Sequence, residues 1–497
     1  MTAVPVRPHR SPTVVEAIRS PRLLTREVLA GLVVALALIP EAISFSIIAG
    51  VDPRVGLFSA FVMAVVTSIV GGRPAMISGA TGAIALVVAP LMRDHGYAYL
   101  VTAVLLGGAL QIVLGAVGAA RLMRFVPRSV MVGFVNALAI LIFVAQLPHL
   151  IGVPWAVYPL VAAGIAVMVL LPRFTTAIPA PLVAIVLLSA VVLLTAIPVP
   201  TVGDEGALPD SLPTLFVPVV PLTLETLTIV GPFAVAVAVV GLLESLMTAK
   251  LVDEITDTGS SKGREAIGQG VANIASGFAG GMGGCAMIGQ TMINVKASGA
   301  RTRVSSFSAG VLLLVLVVGL GPIVGLIPMA ALVAVMVMVS VGTFDWHSVR
   351  PSTLKRMPIG ETVVMVATVA VTVATGNLAS GVVVGVLIAM TVFARRVAHF
   401  ATVERTVTDE GVARYRVDGE LFFASSNDLT TRFDYAGDPD RVVVDLSGSH
   451  VWDASTVAAL DAVTTKYAQH GKSVEIHGMN DASAAMHGRL AGTLPGH

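Results

Sequence analysis

Between Val28 and Phe393 the chain returns repeatedly to apolar runs of about 18 residues or more. A run of that length crosses the hydrocarbon core of a bilayer as a helix. In lipid every backbone N–H and C=O must also find its partner within the protein. The composition agrees: 55% of residues are hydrophobic and 12% charged, with a mean hydropathy of +0.88, against about 25% charged in soluble chains. The fold class expected is a polytopic α-helical membrane protein. A net charge of +1 points to no partner, and the single cysteine, Cys285, excludes an internal disulfide and a cysteine-built metal cluster. Residues 1–26 are rich in Arg and Pro and lack an apolar core, so no cleavable signal peptide is expected; they read as a cytoplasmic tail with a short amphipathic piece around Val14–Ile18.

Apolar spans fall at about 27–49, 54–71, 75–93, 97–119, 129–148, 155–172 and 178–197. After a loop from Pro198 to Leu222 with Asp204, Glu205 and Asp210 but no Lys or Arg, they resume at about 224–249, 264–281, 285–298, 304–325, 327–341, 360–377 and 379–396. That makes 14 spans, seven plus seven. With the N-terminus inside, 21 of the Lys and Arg residues up to 396 fall on the cytoplasmic side and two, Arg54 and Arg93, outside. Arg121, Arg124 and Arg128 form one inner cluster, and Arg350, Lys355 and Arg356 another. Both termini are therefore expected in the cytoplasm, with the chain in the cytoplasmic membrane.

Two spans are broken. Gly280–Arg303 reads GGMGGCAMIGQTMINVKASGARTR, too glycine-rich for a continuous helix and dotted with Gln290, Thr291, Asn294 and Lys296. Such a segment is tolerated at membrane depth only inside protein or beside a water-filled cavity, and its free N–H groups and helix dipole suit an anion. Ala286–Thr291 (AMIGQT) echoes Ala75–Thr81 (AMISGAT) about 211 residues earlier. Glu41 and Glu244, each the lone acid of an apolar run, stand 203 apart. Two echoes at nearly one spacing suggest two structural repeats with binding at their interface.

Glu244 is the sharpest single residue, since a mid-membrane carboxylate costs about 2.5–3.5 kcal/mol. With Ser245 beside it and Thr248 one turn on, it can coordinate Na⁺, hold a proton, or serve as a structural hydrogen-bonding group. Glu41 follows the helix-breaking Pro40, and Ser44, Phe45 and Ser46 extend its face with one aromatic. Lys296 can snorkel to the interface. Asn136 and Gln146 read as helix–helix glue, and His95 and His149 as solvated span ends. There is no metal-ligand cluster and no nucleophile–base arrangement, so no enzyme is expected, and nothing indicates nucleic-acid binding.

Beyond Arg396 the charge density becomes ordinary. ARYRVDGELFFA, RVVVDLSGS and SVEIHGM read as strands and Ser455–Ala468 as a helix, giving a small α/β domain over 397–497 after a membrane domain over 27–396.

Four stretches resemble the SulP anion-transporter family, of the sulfate-permease and prestin–pendrin type: IPEAISFSIIAGVDPRVGLFSA, ISGATG, GLLESLMTAKLVDEITD continuing into EAIGQGVANIASGFAGGMGGCAMIGQTMINVKASGARTRVS, and DLSGSHVWDASTVAAL with GKSVEIHGMN, the last like the family's C-terminal STAS domain. The resemblance implies two inverted seven-span repeats, a core and a gate domain, and a homodimer. It places substrate on Glu41, Phe45, Thr81, Gly82, Met287, Ile288, Gly289 and Gln290, with Glu244 and Thr248 for the coupling ion. Many members carry Gln where this chain has Glu41. The mammalian branch tends to a basic residue at the Gly289 position, and sodium–bicarbonate members to Asp at that of Glu244. Ser455 sits where anti-sigma-antagonist relatives are phosphorylated, but the run here is DAST, so a plain folded adaptor with a cytoplasmic protein partner is expected.

The function expected is proton-coupled symport of a small inorganic or carboxylate anion (sulfate, bicarbonate or a dicarboxylate), with no cofactor besides the co-transported H⁺, or Na⁺ in its place. The alternatives are a Na⁺-coupled bicarbonate symporter or an anion exchanger, a nucleobase permease of the same fold, and a membrane-anchored STAS signalling scaffold.

Overall fold

The computed structural model describes residues 12–118, 126–174, 179–221, 223–398, 402–426 and 429–492. Arg121 and Arg124 of the expected inner cluster lie outside them. The chain divides into two compact units, residues 1–386 and 387–497.

In the first unit the short helix α1 (Val14–Arg19), closed by a Thr13–Glu16 capping box, precedes α2 (Pro21–Ala49) and α3 (Pro53–Val70). Strand β1 (Ser78–Gly79) and α4 (Gly82–His95) form the first broken segment. Then come α5 (Tyr97–Ala116), α6 (Arg128–Val144), α7 (Val157–Leu170), α8 (Ala180–Thr195), α9 (Leu224–Thr256) and α10 (Lys262–Phe278). The second broken segment is β2 (Cys285–Ala286), α11 (Ile288–Met292) and a π-helical turn, Ile293–Ala297. It is followed by α12 (Arg303–Gly325), α13 (Met329–Thr343), α14 (Pro351–Arg356), α15 (Ile359–Thr375) and α16 (Leu378–Ala398), which carries the boundary between the units.

Seven described helices are long and apolar enough to cross a membrane: α2, α3, α5, α6 with its 3₁₀ extension to Leu150, α9, α12 and α16. Four more, at Val157–Arg173, Ala180–Thr195, Met329–Thr343 and Ile359–Thr375, are apolar but shorter. The span expected at 224–249 continues as helix to Thr256. That extra length delivers Asp253 to Arg73 (2.9 Å) and Lys262 (2.7 Å), a cluster that ties the loop after α3 to the end of α9.

The helices pack in two groups. In one, α12 lies on α2 and α3, α5 on α9 and α10, and α10 on α3. In the other, α6 lies on α13 and α15, and α13 on α7. Without a hydrophobic force between helices in lipid, close approach depends on small residues. A Cβ on Gly108 of α5 would sit 2.7 Å from the Gly270 carbonyl of α10, and one on Gly270 would sit 2.5 Å from the Gly108 carbonyl. Asn136 ties α6 to the turn after α13, donating to Ser348 (2.9 Å) and accepting from Asp345 N–H (2.8 Å), whereas the Gln146 amide folds back on the Ile142 carbonyl, so neither bonds to a neighbouring helix as expected.

The second unit contains a four-stranded sheet in the order β3 (Thr402–Val407), β4 (Val412–Leu421), β5 (Arg441–Val451), β6 (Ser473–His477), antiparallel at β3–β4 and parallel thereafter. Helices α17 (Phe423–Ser426), α18 (Ala454–Gln469) and α19 (Asp481–Leu490) complete it. Its core gathers Tyr415, Val442, Val444, Leu446, Val457, Leu460 and Tyr467. Asp453 caps α18 through Thr456 N–H (3.0 Å), leaving Ser455 exposed in the first turn.

Candidate transport site

The two broken segments meet. Strands β1 and β2 pair antiparallel, Ser78 opposite Ala286 and Gly79 opposite Cys285. A Cβ on Gly284 would overlap the Gly79 carbonyl, so only glycine permits this approach. The two echoing stretches thus face each other, Ala286 of the second against Ser78 of the first.

Irregular backbone at this depth needs side-chain partners. Ser245 accepts from Ala286 N–H (3.0 Å), and Asn273 accepts from Gly284 N–H (2.8 Å) while donating to Gln111 (2.9 Å). Gln269 donates to Ser78 (2.7 Å), Asn294 to the Ala75 carbonyl (2.8 Å) and Ser306 to the Met76 carbonyl (2.9 Å).

A cavity of about 430 Å³ lies where the broken segments end. Glu41, Phe45, Thr81, Gly82, Glu244, Met287, Ile288, Gly289 and Gln290 line one side. The opposite wall comes from α6 (Phe134, Val135, Leu138, Ile142) and α13 (Val339, Gly342, Thr343). No Lys, Arg or His is among the described residues that line it. A larger cavity of about 500 Å³, around Asp52, Arg54, Tyr97 and Asp210, contains none of the residues expected to hold substrate or coupling ion.

Each lining group has a local cause. The Thr81 hydroxyl caps α4, accepting from Ile84 N–H (3.3 Å), and Phe45 packs so closely on Gly82 that a Cβ there would meet its ring at 3.0 Å. Met287, the residue before α11, offers no side-chain cap, and beside Gly289 there is open space. Gln290, only 2% exposed, donates to Glu41 Oε1 (2.5 Å), while its own carbonyl oxygen has no partner. Glu244 Oε2 accepts from the Cys285 thiol (2.9 Å), whose sulfur lies 3.1 Å from Thr81 Oγ1.

Three sequence readings change. Thr248 does not line the cavity: its hydroxyl donates to the Glu244 backbone carbonyl (2.7 Å), the usual fate of a threonine four residues on. Of Ser44, Phe45 and Ser46, only Phe45 reaches the cavity. Ser44 donates to the Pro40 carbonyl (2.8 Å), and Ser46 donates to the Ala42 carbonyl and accepts from Gly56 N–H on α3. The third is an omission, Cys285 and the whole α6–α13 wall. The cysteine sits inside the motif stretch, but the wall residues are apolar and read no differently from lipid-facing ones.

Comparison with known proteins agrees with this architecture. The sulfate permease family model matches residues 24–160 and 155–368, and the STAS domain model residues 405–490. "Putative sulfate transporter YbaR" of Bacillus subtilis (strain 168) is 52% identical over 468 residues, 94% of this chain and 97% of that protein. The structure titled as the transmembrane domain of a cyanobacterium bicarbonate transporter, BicA, superposes with a TM-score of 0.65 at 25% identity, over 73% of this chain and 98% of that one. The murine Slc26a9 anion transporter, at 17% identity, shares the fold with a TM-score of 0.82 over 94% and 87% of the two chains. The molecule is a multi-pass membrane protein with the solute-carrier-26 fold, from a family of transporters and not of enzymes. The chain belongs to the SulP sulfate permease family, with a C-terminal STAS domain.

Proposed function

We propose that this chain is a secondary active transporter that carries a small anion together with a proton and binds it between the ends of the two broken segments. The observation that carries the reading is the cavity: two acids and the starts of two helices face a space with no basic side chain among the described residues that line it. Attraction for an anion then rests on backbone N–H groups, with the dipole of α4 behind Thr81 and Gly82. A proton on Glu244 or Glu41 lowers the charge that crosses with the cargo. Each unit of charge moved across the full membrane is worth about 2.3 kcal/mol per 100 mV.

The names of the relatives point to sulfate or bicarbonate. Fourteen spans in two inverted sevens fit the packing, because α2 on α12 is answered by α9 on α5, and α3 on α12 by α10 on α5. The two packed groups are then core and gate, moving against each other around the cavity. Domain limits of 27–396 and 397–497, cytoplasmic termini and a homodimer complete the proposal.

The test is purified full-length protein in liposomes, offered labelled sulfate, bicarbonate, fumarate and uracil under proton or sodium gradients. Anion uptake driven by an inward proton gradient is expected. Uptake of uracil alone points to a nucleobase permease, and uptake of nothing to a STAS scaffold.

A further inference from the structure

We propose that Cys285 is a positioning residue that reports the protonation state of Glu244 to the Thr81 hydroxyl, so that a proton on the acid frees a hydrogen-bond donor for the anion. This rests on the proton-coupled reading above and supplies the path by which proton and anion sense each other.

Three side chains form an unbranched chain from one wall of the cavity back to it: Thr81 Oγ1, Cys285 Sγ at 3.1 Å, and Glu244 Oε2 at 2.9 Å. Both ends line the cavity, and the sulfur between them is fully buried. A carboxylate can only accept, so with Glu244 ionised the thiol donates to Oε2 and the Thr81 hydroxyl donates to the sulfur. The Thr81 hydrogen is then held inside the protein. When one proton enters from the cavity and binds Glu244, the acid O–H donates to the sulfur and the S–H turns to Thr81 Oγ1. That oxygen still accepts from Ile84 N–H at 3.3 Å, and its second lone pair takes the thiol. The Thr81 hydrogen swings into the cavity at the start of α4. No other proton is gained or lost.

The titratable groups that face Glu244 are few. Cys285 comes from β2, and Glu41 lies on the cavity from α2, held by Gln290. Helix α11 has no titratable residue, and those of α4 (Arg93, Asp94, His95) are in its last turn. On α5, Tyr97 is committed to the Gly280 carbonyl and Tyr99 packs on His95. On α10, Glu265 is turned to the backbone of Gly72 and Arg73. The switch therefore answers to Glu244 through a single neutral partner.

The experiment uses the full chain in liposomes with labelled bicarbonate and sulfate, and reads KM across roughly two pH units around neutrality. In the wild type KM rises with pH, approaching tenfold per unit above the titration point. Cys285→Ser, which still donates and accepts, keeps that slope. Cys285→Ala removes the acceptor that holds the Thr81 hydrogen inside, so it keeps KM near the wild-type acid value, changing less than about twofold over the range. A Cys285→Ala variant with the wild-type slope overturns the relay, and so does wild-type uptake that ignores pH, although anion transport then stands. The sole cysteine gives a second readout that needs no variant: its infrared S–H band is expected to move as the thiol turns from carboxylate to hydroxyl on acidification. A band that stays fixed overturns the relay. Wild-type protein that takes up neither anion sinks the transport reading instead, and the band still decides the relay.

Discussion

Asp438 in the STAS unit and Glu244 in the membrane unit are both buried carboxylates, treated in opposite ways. Asp438 accepts from Tyr415 (2.7 Å), Tyr467 and Arg405 (2.7 Å). Glu244 accepts from one thiol and Glu41 from one amide, with no cation among the described residues lining their cavity. Two other acids of the membrane unit behave like Asp438. Glu27 takes Arg301 N–H (2.8 Å), Thr302 N–H (3.1 Å) and the Thr302 hydroxyl (2.8 Å). Glu265 takes Gly72 N–H (2.7 Å), Arg73 N–H (2.9 Å) and Gln269 (2.8 Å). Three donors make a buried carboxylate a fixed joint. One donor leaves it free to exchange a proton.

The largest effect is expected from planting an acid with no donor at all. Gly289→Glu points into open space, so the fold survives, but an unpartnered negative charge then stands at the start of α11. Anion uptake should fall by more than about 100-fold, equivalent to about 2.7 kcal/mol. Gly289→Arg should instead tighten binding and slow release, visible as a lower KM with a lower maximal rate. If both variants transport like the wild type, the anion binds elsewhere.

Next come the two acids with one donor. Glu244→Gln imitates the protonated form and is expected to keep anion exchange while losing the response to an inward proton gradient. Glu244→Ala should damage binding as well. Glu41→Gln should be milder, since it can keep a hydrogen bond to Gln290. Uptake under proton and sodium gradients separates the cases. Stimulation of the wild type by Na⁺ alone makes Glu244 a sodium ligand, and proton dependence that persists in Glu244→Gln moves coupling to Glu41.

The three-donor acids of the membrane unit should show the reverse pattern. Glu27→Gln and Glu265→Gln each lose charge-assisted bonds worth about 1.5–3 kcal/mol apiece before compensation. Thermal stability in detergent should drop, while KM and proton coupling of the surviving protein remain those of the wild type. A changed pH profile in either would break the division between joints and switches.

Much of this was legible beforehand because the physics is local. Apolar runs located the helices, and glycine clusters with isolated polar residues located the breaks. Glu41, Phe45, Thr81, Gly82, Glu244 and Met287–Gln290 do meet around one cavity. What escaped depended on partners distant in sequence. Glu27 and Glu265 sit near span ends and look like ordinary interfacial charges until the backbone N–H groups they accept from are known. Thr248 shares the helix face of Glu244, but spends its hydroxyl on the carbonyl one turn back. The α6–α13 wall carries no polar mark.

The smallest effect belongs to Asp438 and concerns stability alone. Burial pushes its carboxyl up, but hydrogen bonds from Tyr467, Tyr415 and Arg405 outweigh that and hold it below the ordinary value of 3.8. A group whose folded pKa is depressed contributes stability that is present above its unfolded pKa and lost as pH falls through the folded one. Amide protection in β4, β5 and α18, read by hydrogen exchange on the full chain, should thus carry no Asp438-dependent change from neutral pH down to about 4, then weaken further into acid. Asp438→Asn should remove that acid step and lower protection at neutral pH by about 2 kcal/mol, since the Tyr415 and Tyr467 hydroxyls keep a neutral acceptor while Arg405 loses its charge partner. Proton-driven uptake should be unchanged. An Asp438→Asn variant that shifts the pH profile of transport would make this acid a switch as well, and the number of donors would no longer tell the two kinds apart.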